Sequence, residues 1–316
     1  MIPTAILYSV AMKGTGKMKN HTKKPKMKEK LSFKTRVLDV LAFIRGNSKL
    51  VIGGILLLVI AFYAIFAPWI APYTYNEMRT SQQVLEGPSK EHPFGTDNFG
   101  RDVYSRVIYG ARISLGVSVL CVGLGALIGV PLGMLAGFRG GWLDIVIMRL
   151  SDVISTIPTI LMAVIITAVL GSGLPVVIFA LAIVYIPGAA RLARSMVYSI
   201  REREYVAAAT VVGEPKRRIL WRYIFPNCTA PIVIQSTLRL SNAILAEASI
   251  SYLGYGTIPP TPSWGLMLSE SQTFMWVAPM QCVFPGLAIM VLVLAGNLFG
   301  DGVRDLLDPK FKGRVM

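Results

Sequence analysis

Six long apolar runs divide this chain, and they restrict its fold more than any other feature of the sequence. A helix that crosses a lipid bilayer needs about 20 mostly apolar residues. The candidate spans cover residues 50–70, 113–138, 142–170, 174–190, 230–253 and 282–299. Only 16% of the residues are charged, whereas soluble domains carry about 25%. We therefore predict an all-α membrane protein with six transmembrane helices.

The formal net charge of +15 is concentrated in two segments. Residues 1–49 carry 12 basic and two acidic side chains, and the stretch from Arg191 to Arg222 carries eight basic and three acidic ones. An apolar chain with excess cation is either a nucleic-acid binder or a membrane protein whose basic segments face the cytoplasm. Long apolar runs separate the two basic segments, so they cannot form one stripe along a nucleic acid. We expect no nucleic-acid partner.

The charge distribution also orients the predicted spans, because basic loops stay on the cytoplasmic side. Both termini are then cytoplasmic, and the acid-leaning loops are extracytoplasmic. The basic tail would attract anionic membrane lipid. The predicted divisions are a basic cytoplasmic tail (1–49), the first transmembrane helix (50–70), an extracytoplasmic segment with an interfacial helix (71–112), a five-helix core (113–303) that includes a cytoplasmic loop (191–229), and a cytoplasmic C-terminus (304–316).

The cytoplasmic loop has the pattern of two short helices. Residues 202–212 are rich in helix formers, and Gly213 can end that helix by adopting a positive φ. Pro215 suits the start of the second helix, and Pro226 ends the unit. The second helix has an apolar stripe formed by Ile219, Leu220, Tyr223 and Ile224. The residues alone leave two interpretations open, a docking site for another protein or a basic amphipathic segment on the lipid surface.

The order Ala208-Ala209, three residues, Gly213 and then Phe225-Pro226 resembles the EAA loop of binding-protein-dependent ABC importer permeases. In that family the loop contains the coupling helix, which sits in a cleft on the cytoplasmic ATPase subunit. Ala207 stands where the family usually has glutamate, and Glu204 lies close enough to substitute for it. The resemblance implies that ATPase coupling involves Glu204, Tyr205, Ala207, Ala208, Ala209, Gly213, Pro215, Arg218 and Pro226.

Further motifs resemble one branch of that family, the C-type subunit of the dipeptide, oligopeptide and nickel permeases. Residues 93–106 contain the FGTD, GRD and SR elements, with Asp102 and Arg106 spaced for an i, i+4 pair. Together the motifs extend over roughly residues 40–310. The others are Ser241–Leu245, Ser251–Gly254, Pro260–Gly265 and 300–309.

The resemblance implies a permease subunit of an ATP-driven importer of di- or oligopeptides, with six spans of the type I importer kind, in a prokaryotic plasma membrane. Its implied partners are a second homologous permease, two ATP-binding cassette subunits, an extracytoplasmic substrate-binding protein and the peptide. We expect no catalytic residue, cofactor or metal in this chain, with ATP and Mg on the partner subunits. The alternatives are the same architecture importing nickel chelates or antimicrobial peptides, and a secondary transporter or channel.

Several polar residues lie inside the predicted spans, where ionisable groups are costly and need partners or water. Arg239, Asn242 and Glu247 fall in the fifth span. One hypothesis is that Arg239 lines the translocation pathway and attracts the C-terminal carboxylate of a peptide. The alternative is that it pairs with Glu247, eight residues along the helix, or with the partner permease. In the third span, Arg149 and Asp152 are spaced to pair.

Proline and glycine predict local features of the spans. Proline inside a helix removes a backbone hydrogen bond, so we expect kinks or re-entrant bends at several positions, including Pro158. Glycines recur along the second span at the spacing of a helix-packing face. They are Gly123, Gly125, Gly129, Gly133 and Gly137.

Overall fold

The structure is a computed structural model that describes residues 46–78 and 84–307, all within one compact unit, Ile44–Met316. Nearly all of the predicted basic tail and the last nine residues of the predicted C-terminus lie outside the described residues. Those two predictions therefore stay predictions.

The regular elements in the described residues are helices, and the one β-contact there is an isolated bridge between Thr96 and Asp102. A single turn (Lys216–Arg218) and a π-helix (Ile219–Ile224) lead directly into α7, and a 3-10 turn (Gln272–Phe274) follows α8. The labelled helices are α1 (Ser48–Ile70), α2 (Val103–Arg139), α3 (Gly141–Thr156), α4 (Thr159–Leu170), α5 (Leu174–Arg201), α6 (Glu204–Val211), α7 (Phe225–Tyr252), α8 (Trp264–Ser271) and α9 (Met280–Leu307).

The predicted interfacial helix before the second span does not form as a separate element. Instead, α2 runs without a break for 37 residues from Val103. The Asp102 carboxylate accepts a hydrogen bond of 2.7 Å from the Ser105 backbone N–H and so caps the start of the helix. No helix breaker follows between residues 103 and 112 except Gly110, which packs against Trp264. At 1.5 Å per residue α2 is about 55 Å long, so it extends well beyond the hydrocarbon core.

Close packing of α2 on α5 confirms four of the five glycines predicted to form a packing face. A Cβ atom added at Gly125 would lie 2.8 Å from the Tyr185 Cβ, and one at Gly137 would lie 2.9 Å from the Arg194 carbonyl oxygen. Added Cβ atoms at Gly129 and Gly133 would likewise clash with the α5 backbone. Gly123 differs, because nothing lies within 4 Å of its added Cβ. The absence of side chains at four positions therefore lets the two helix backbones approach each other.

This seam gives a matched pair of substitutions on one helix. We expect Gly133→Ala to lower the free energy of unfolding by about 1–3 kcal/mol, because the α5 backbone at Ala190 must move. Gly123→Ala makes the same chemical change in open space and should be neutral or slightly stabilising. Thermal unfolding of the two variants in detergent, followed by tryptophan fluorescence, would check this. Equal stability of both variants would contradict the packing.

The third predicted span is broken into two helices. α3 and α4 meet at an angle of 89°. Pro158 lies at the break, and the preceding residue, Ile157, has an extended backbone with φ −91° and ψ 132°. A residue before proline is driven away from the helical region, and proline has no N–H to donate. The bend expected at Pro158 is confirmed.

Four helices in the described ranges are long and apolar enough to cross a membrane, namely α1, α2, α5 and α9. The bent pair α3–α4 makes five if it is one span. The predicted fifth span corresponds to α7, which has 28 residues but is less apolar because it carries Gln235, Arg239 and Glu247. An all-helical membrane fold is therefore confirmed, and the six-span count is compatible with it but stays a prediction.

Candidate functional site

The connection between α5 and α7 contains a short helix, α6, with one buried and one exposed face. Val206 and Ala209 on its inner face are buried in a cluster with Ile219 and Leu220 of the following turn and with residues of α2 and α5. The helix ends at Val211, and Gly213 follows with φ 84°. The next residue's N–H reaches back to the Ala209 carbonyl oxygen at 3.1 Å. The predicted glycine stop is thus confirmed, and α6 is fixed against the bundle by its inner face.

The outer face of α6 is exposed and mostly small or apolar. Eight of the nine residues predicted to couple to an ATPase are exposed: Glu204, Tyr205, Ala207, Ala208, Gly213, Pro215, Arg218 and Pro226. Ala209 is the exception, since only 7% of it is exposed. It lies one residue round the helix from Ala208 and therefore supports the surface from beneath instead of forming part of it. Ala209 is therefore buried by its own chain, and its part in coupling stays a prediction.

Two exposed residues at the end of α6 were missed in the sequence analysis. Val211 and Val212 are 87% and 83% exposed, well above the other large hydrophobic side chains exposed in this loop, Tyr205 and Trp221. Adjacent apolar side chains directly before a glycine stop, in a loop with many charges, are the signal that could have indicated them. We define the coupling surface as Glu204, Tyr205, Ala207, Ala208, Val211, Val212 and Gly213.

The segment after the coupling surface returns the chain to the bundle. Pro215 precedes the turn Lys216–Arg218, and Arg218 forms an exposed ion pair of 3.1 Å with Glu214. In the π-helix that follows, Ile219, Leu220 and Ile224 are buried and Tyr223 is half-buried. The predicted apolar stripe is confirmed. It packs α6 and the start of α7 into one hydrophobic cluster.

Arg239 lies near the middle of α7 and lines a narrow cleft between α2, α5 and α7. Its Nη1 donates a hydrogen bond of 3.1 Å to the Tyr185 carbonyl oxygen on α5. Polar residues on the cleft wall include Gln235 and Ser236 of α7. The cleft is otherwise mostly apolar, with Val122, Ala126, Val130, Ala189, Leu192 and Ile232.

The expected pair between Arg239 and Glu247 does not form. Glu247 is fully buried, and its Oε1 accepts a hydrogen bond of 2.9 Å from the Ser251 hydroxyl. It faces the interior of the bundle, whereas Asn242 is exposed. Eight helical residues span about 12 Å along the axis, too far for a direct contact. Of the three predicted pathway residues, only Arg239 lines the cleft between α2, α5 and α7.

The acidic residues of α3 bind arginines of α5 instead of Arg149. Asp144 accepts hydrogen bonds from Arg194 Nη2 at 2.6 Å and from the Tyr198 hydroxyl at 3.0 Å. Asp152 accepts a longer one, 3.4 Å, from Arg191. The predicted pairing of Arg149 with Asp152 is wrong, because α3 packs against α5 and brings two arginines there within reach.

A buried ionic cluster lies at the other end of α2 and was not predicted. Arg106 Nη2 donates to Glu270 at 2.9 Å and Arg101 Nη2 donates to the same carboxylate oxygen at 3.1 Å. Arg101 Nε also donates to Asp97 at 2.6 Å. Asp102 binds His92 at 2.9 Å, so its predicted pair with Arg106 is wrong. We call Asp97, Arg101, Arg106 and Glu270 the outer ionic cluster, and it joins the loop before α2 to α8.

Two family descriptions match the sequence. Residues 129–313 match the family described as "Binding-protein-dependent transport system inner membrane component", and residues 39–88 match "N-terminal TM domain of oligopeptide transport permease C". The first match alone extends over more than half of the chain.

Curated relatives agree with both matches. The chain is 44% identical to the dipeptide transport system permease protein DppC of Alkalihalophilus pseudofirmus, over 85% of this chain and 88% of the relative. It is 48% identical to the glutathione transport system permease protein GsiD of Escherichia coli, over 82% of this chain and 84% of that protein. A chain of the methionine ABC transporter MetNI superposes with a TM-score of 0.49 at 18% identity, over 63% of this chain and 96% of the other.

The extent of these matches identifies the chain. They cover both the first transmembrane helix and the helical core, and they include the segment that forms the coupling surface. The protein belongs to the family of binding-protein-dependent transport system inner membrane components, the membrane permease subunits of ABC importers, and resembles its C-type dipeptide and oligopeptide branch.

Proposed function

We propose that this chain is the C-type permease of an ATP-driven importer of di- and oligopeptides. The observation that carries the cargo class is the extent of similarity to permeases named for dipeptide and for glutathione, itself a small peptide. The chain would form half of a translocation pathway with a homologous permease. An extracytoplasmic binding protein would deliver the peptide, and two cytoplasmic ATPase subunits would bind ATP and Mg and hydrolyse the ATP.

The coupling surface is the part of this chain that would receive the ATPase motion. Small side chains at Ala207 and Ala208 allow close approach, and Val211 and Val212 offer apolar contact. The inner face of α6 is packed against the core of α2, α5 and α7. A displacement of α6 would therefore move these helices together. The ATPase can shift the permease between states only if it binds them with different affinity.

The proposed membrane orientation follows from charge. The loop that contains the coupling surface lies in the segment with eight basic and three acidic residues, which favours the cytoplasm. The outer ionic cluster would then lie on the extracytoplasmic side. With six spans, α7 would be the fifth and its polar residues would face the pathway or other helices, and both termini would be cytoplasmic.

Purification and reconstitution test this function. The full chain, tagged and isolated from the plasma membrane of its host, should bring down a second permease and two ATP-binding cassette subunits in defined stoichiometry. In proteoliposomes with the binding protein encoded beside this permease, the complex should import labelled Ala–Ala only with ATP. Isolation of the chain with neither ATPase nor second permease, or uptake driven by an ion gradient, would overturn the proposal. Uptake of nickel chelate but not of peptide would reassign the cargo.

A further inference from the structure

We propose that Arg239, Tyr185, Gln235 and Ser236 form a carboxylate-binding site in the cleft between α2, α5 and α7. Its ligand is a carboxylate of the peptide cargo, a group present at the C-terminus of every unmodified peptide. This inference rests on the proposed function, because it names the part of the cargo that the permease itself would recognise during passage.

The charge of Arg239 is not matched within the parts of the chain that the structure describes. Two other arginines on the neighbouring helix α5 each have a carboxylate partner: Arg191 binds Asp152 at 3.4 Å, and Arg194 binds Asp144. Across residues 46–78 and 84–307, no carboxylate lies within 4.0 Å of Arg239. A cation in the middle of a membrane helix is costly without a counter-charge or water. An anionic ligand in the cleft would supply the counter-charge.

A second unpartnered group belongs to another residue that lines this cleft. Tyr185 lines it, is only 8% exposed, and its hydroxyl has no hydrogen-bond partner in the described structure. Tyr185 and Arg239 both line this cleft. A buried hydroxyl without a partner is unfavourable, and both groups are donors that a carboxylate oxygen can satisfy. This observation is independent of the charge of Arg239.

The position of the guanidinium depends on a glycine on α5. A Cβ atom added at Gly188 would lie 2.7 Å from the Arg239 Cζ, so the absence of a side chain there makes room for the group. The Tyr185 carbonyl oxygen holds one of its N–H groups at 3.1 Å. A guanidinium has five N–H donors, and this is the one hydrogen bond recorded for it among the described residues. The rest can serve a ligand.

The remaining polar groups lie on one face of α7. Gln235 and Ser236 precede Arg239 by four and three residues, which places all three on the same side of the helix. They add neutral donors and acceptors beside the charge, while the opposite wall is apolar. Asn242, three residues beyond Arg239, is exposed on the continuation of this face. The arrangement suits one anionic group attached to an uncharged peptide backbone.

The test uses the complete complex in proteoliposomes and measures two quantities, ATP hydrolysis stimulated by the loaded binding protein and Ala–Ala imported per ATP. For Arg239→Gln we expect import per ATP to fall about tenfold or more while stimulated hydrolysis persists, since a charged hydrogen-bonding group is lost from the pathway. Arg239→Lys should restore part of the import. Gly188→Ala, which displaces the guanidinium without removing it, should lower import per ATP in the same direction.

Arg112→Gln is the matched control, because it removes the same charge from an exposed position of α2 that does not line the cleft. Its import per ATP should equal that of the wild type. Two results with Arg239→Gln would overturn the carboxylate site. The first is import per ATP within about twofold of the wild type. The second is loss of both complex assembly and ATP hydrolysis, which would make Arg239 a structural contact only. A wild-type complex that imports no peptide with ATP would instead refute the proposed function, and the site would fall with it.

Discussion

Glu270→Gln is expected to lower the free energy of unfolding by about 3–5 kcal/mol, because it removes one carboxylate from a buried cluster of two arginines. Arg101 and Arg106 both donate to the same Glu270 oxygen, and only Asp97 would remain to balance them. Arg106 is held further by the carbonyl oxygens of Tyr75 and Pro260. These contacts hold the Arg106 guanidinium inside the cluster, away from water. Chemical or thermal unfolding of the complex in detergent measures the loss.

An exposed ion pair provides the control for this substitution. Glu214 binds Arg218 at 3.1 Å, with 21% and 53% of the two side chains exposed. Glu214→Gln makes the same chemical change and should cost less than about 1 kcal/mol. High salt should weaken the Glu214 pair and leave the outer ionic cluster nearly unaffected, since screening acts mainly on exposed charges. Equal destabilisation by the two substitutions would show that the outer ionic cluster contributes little as a buried network.

The second large effect is expected at the coupling surface. The double substitution Val211→Asp and Val212→Asp should reduce ATP-dependent peptide uptake about 100-fold, because two charges would enter an apolar contact with the ATPase. The fold should be unaffected, as both side chains are almost fully exposed. Uptake in proteoliposomes, co-purification of the ATPase subunits and thermal unfolding are measured on the same preparation.

The control substitutions at these two positions keep the shape of the side chains and make them only slightly more polar. Val211→Thr with Val212→Thr retains the β-branched side chains without adding charge and should leave most of the uptake. If the aspartate variant retains both its ATPase subunits and its uptake, the end of α6 does not contact the ATPase. If it unfolds, Val211 and Val212 are buried within the permease itself and are not part of an exposed contact surface.

Local sequence patterns predicted the features that depend on neighbouring residues. Gly213 ends α6 with a positive φ as expected, and Pro158 bends the third apolar run. Four glycines of α2 form the packing seam because side chains spaced by four residues share a helix face. In each case the physical cause, a missing Cβ or a missing N–H, belongs to the residue itself.

Ion pairing was predicted poorly, because the nearest opposite charge in sequence is often not the nearest in space. Asp102 caps its own helix and binds His92, and Arg106 binds Glu270 instead, 164 residues away in sequence. Asp152 forms an ion pair with Arg191 on another helix. The spacing of Arg239 and Glu247 placed them on nearly one face, yet neighbouring helices bury Glu247 and leave Arg239 at a cleft.

The sequence by itself determined that this chain is a helical membrane protein, where its apolar runs lie, and that it carries the loop of an importer permease. The first two properties follow from the cost of exposing polar backbone and charge to lipid, which acts on every segment separately. The third rests on the resemblance of the loop to that of a known family. Only the tertiary structure decided which face of α6 is free, where the outer ionic cluster forms and which polar residue of α7 reaches a cleft. These depend on contacts between segments far apart in the chain, and helix packing selects one partner for each group.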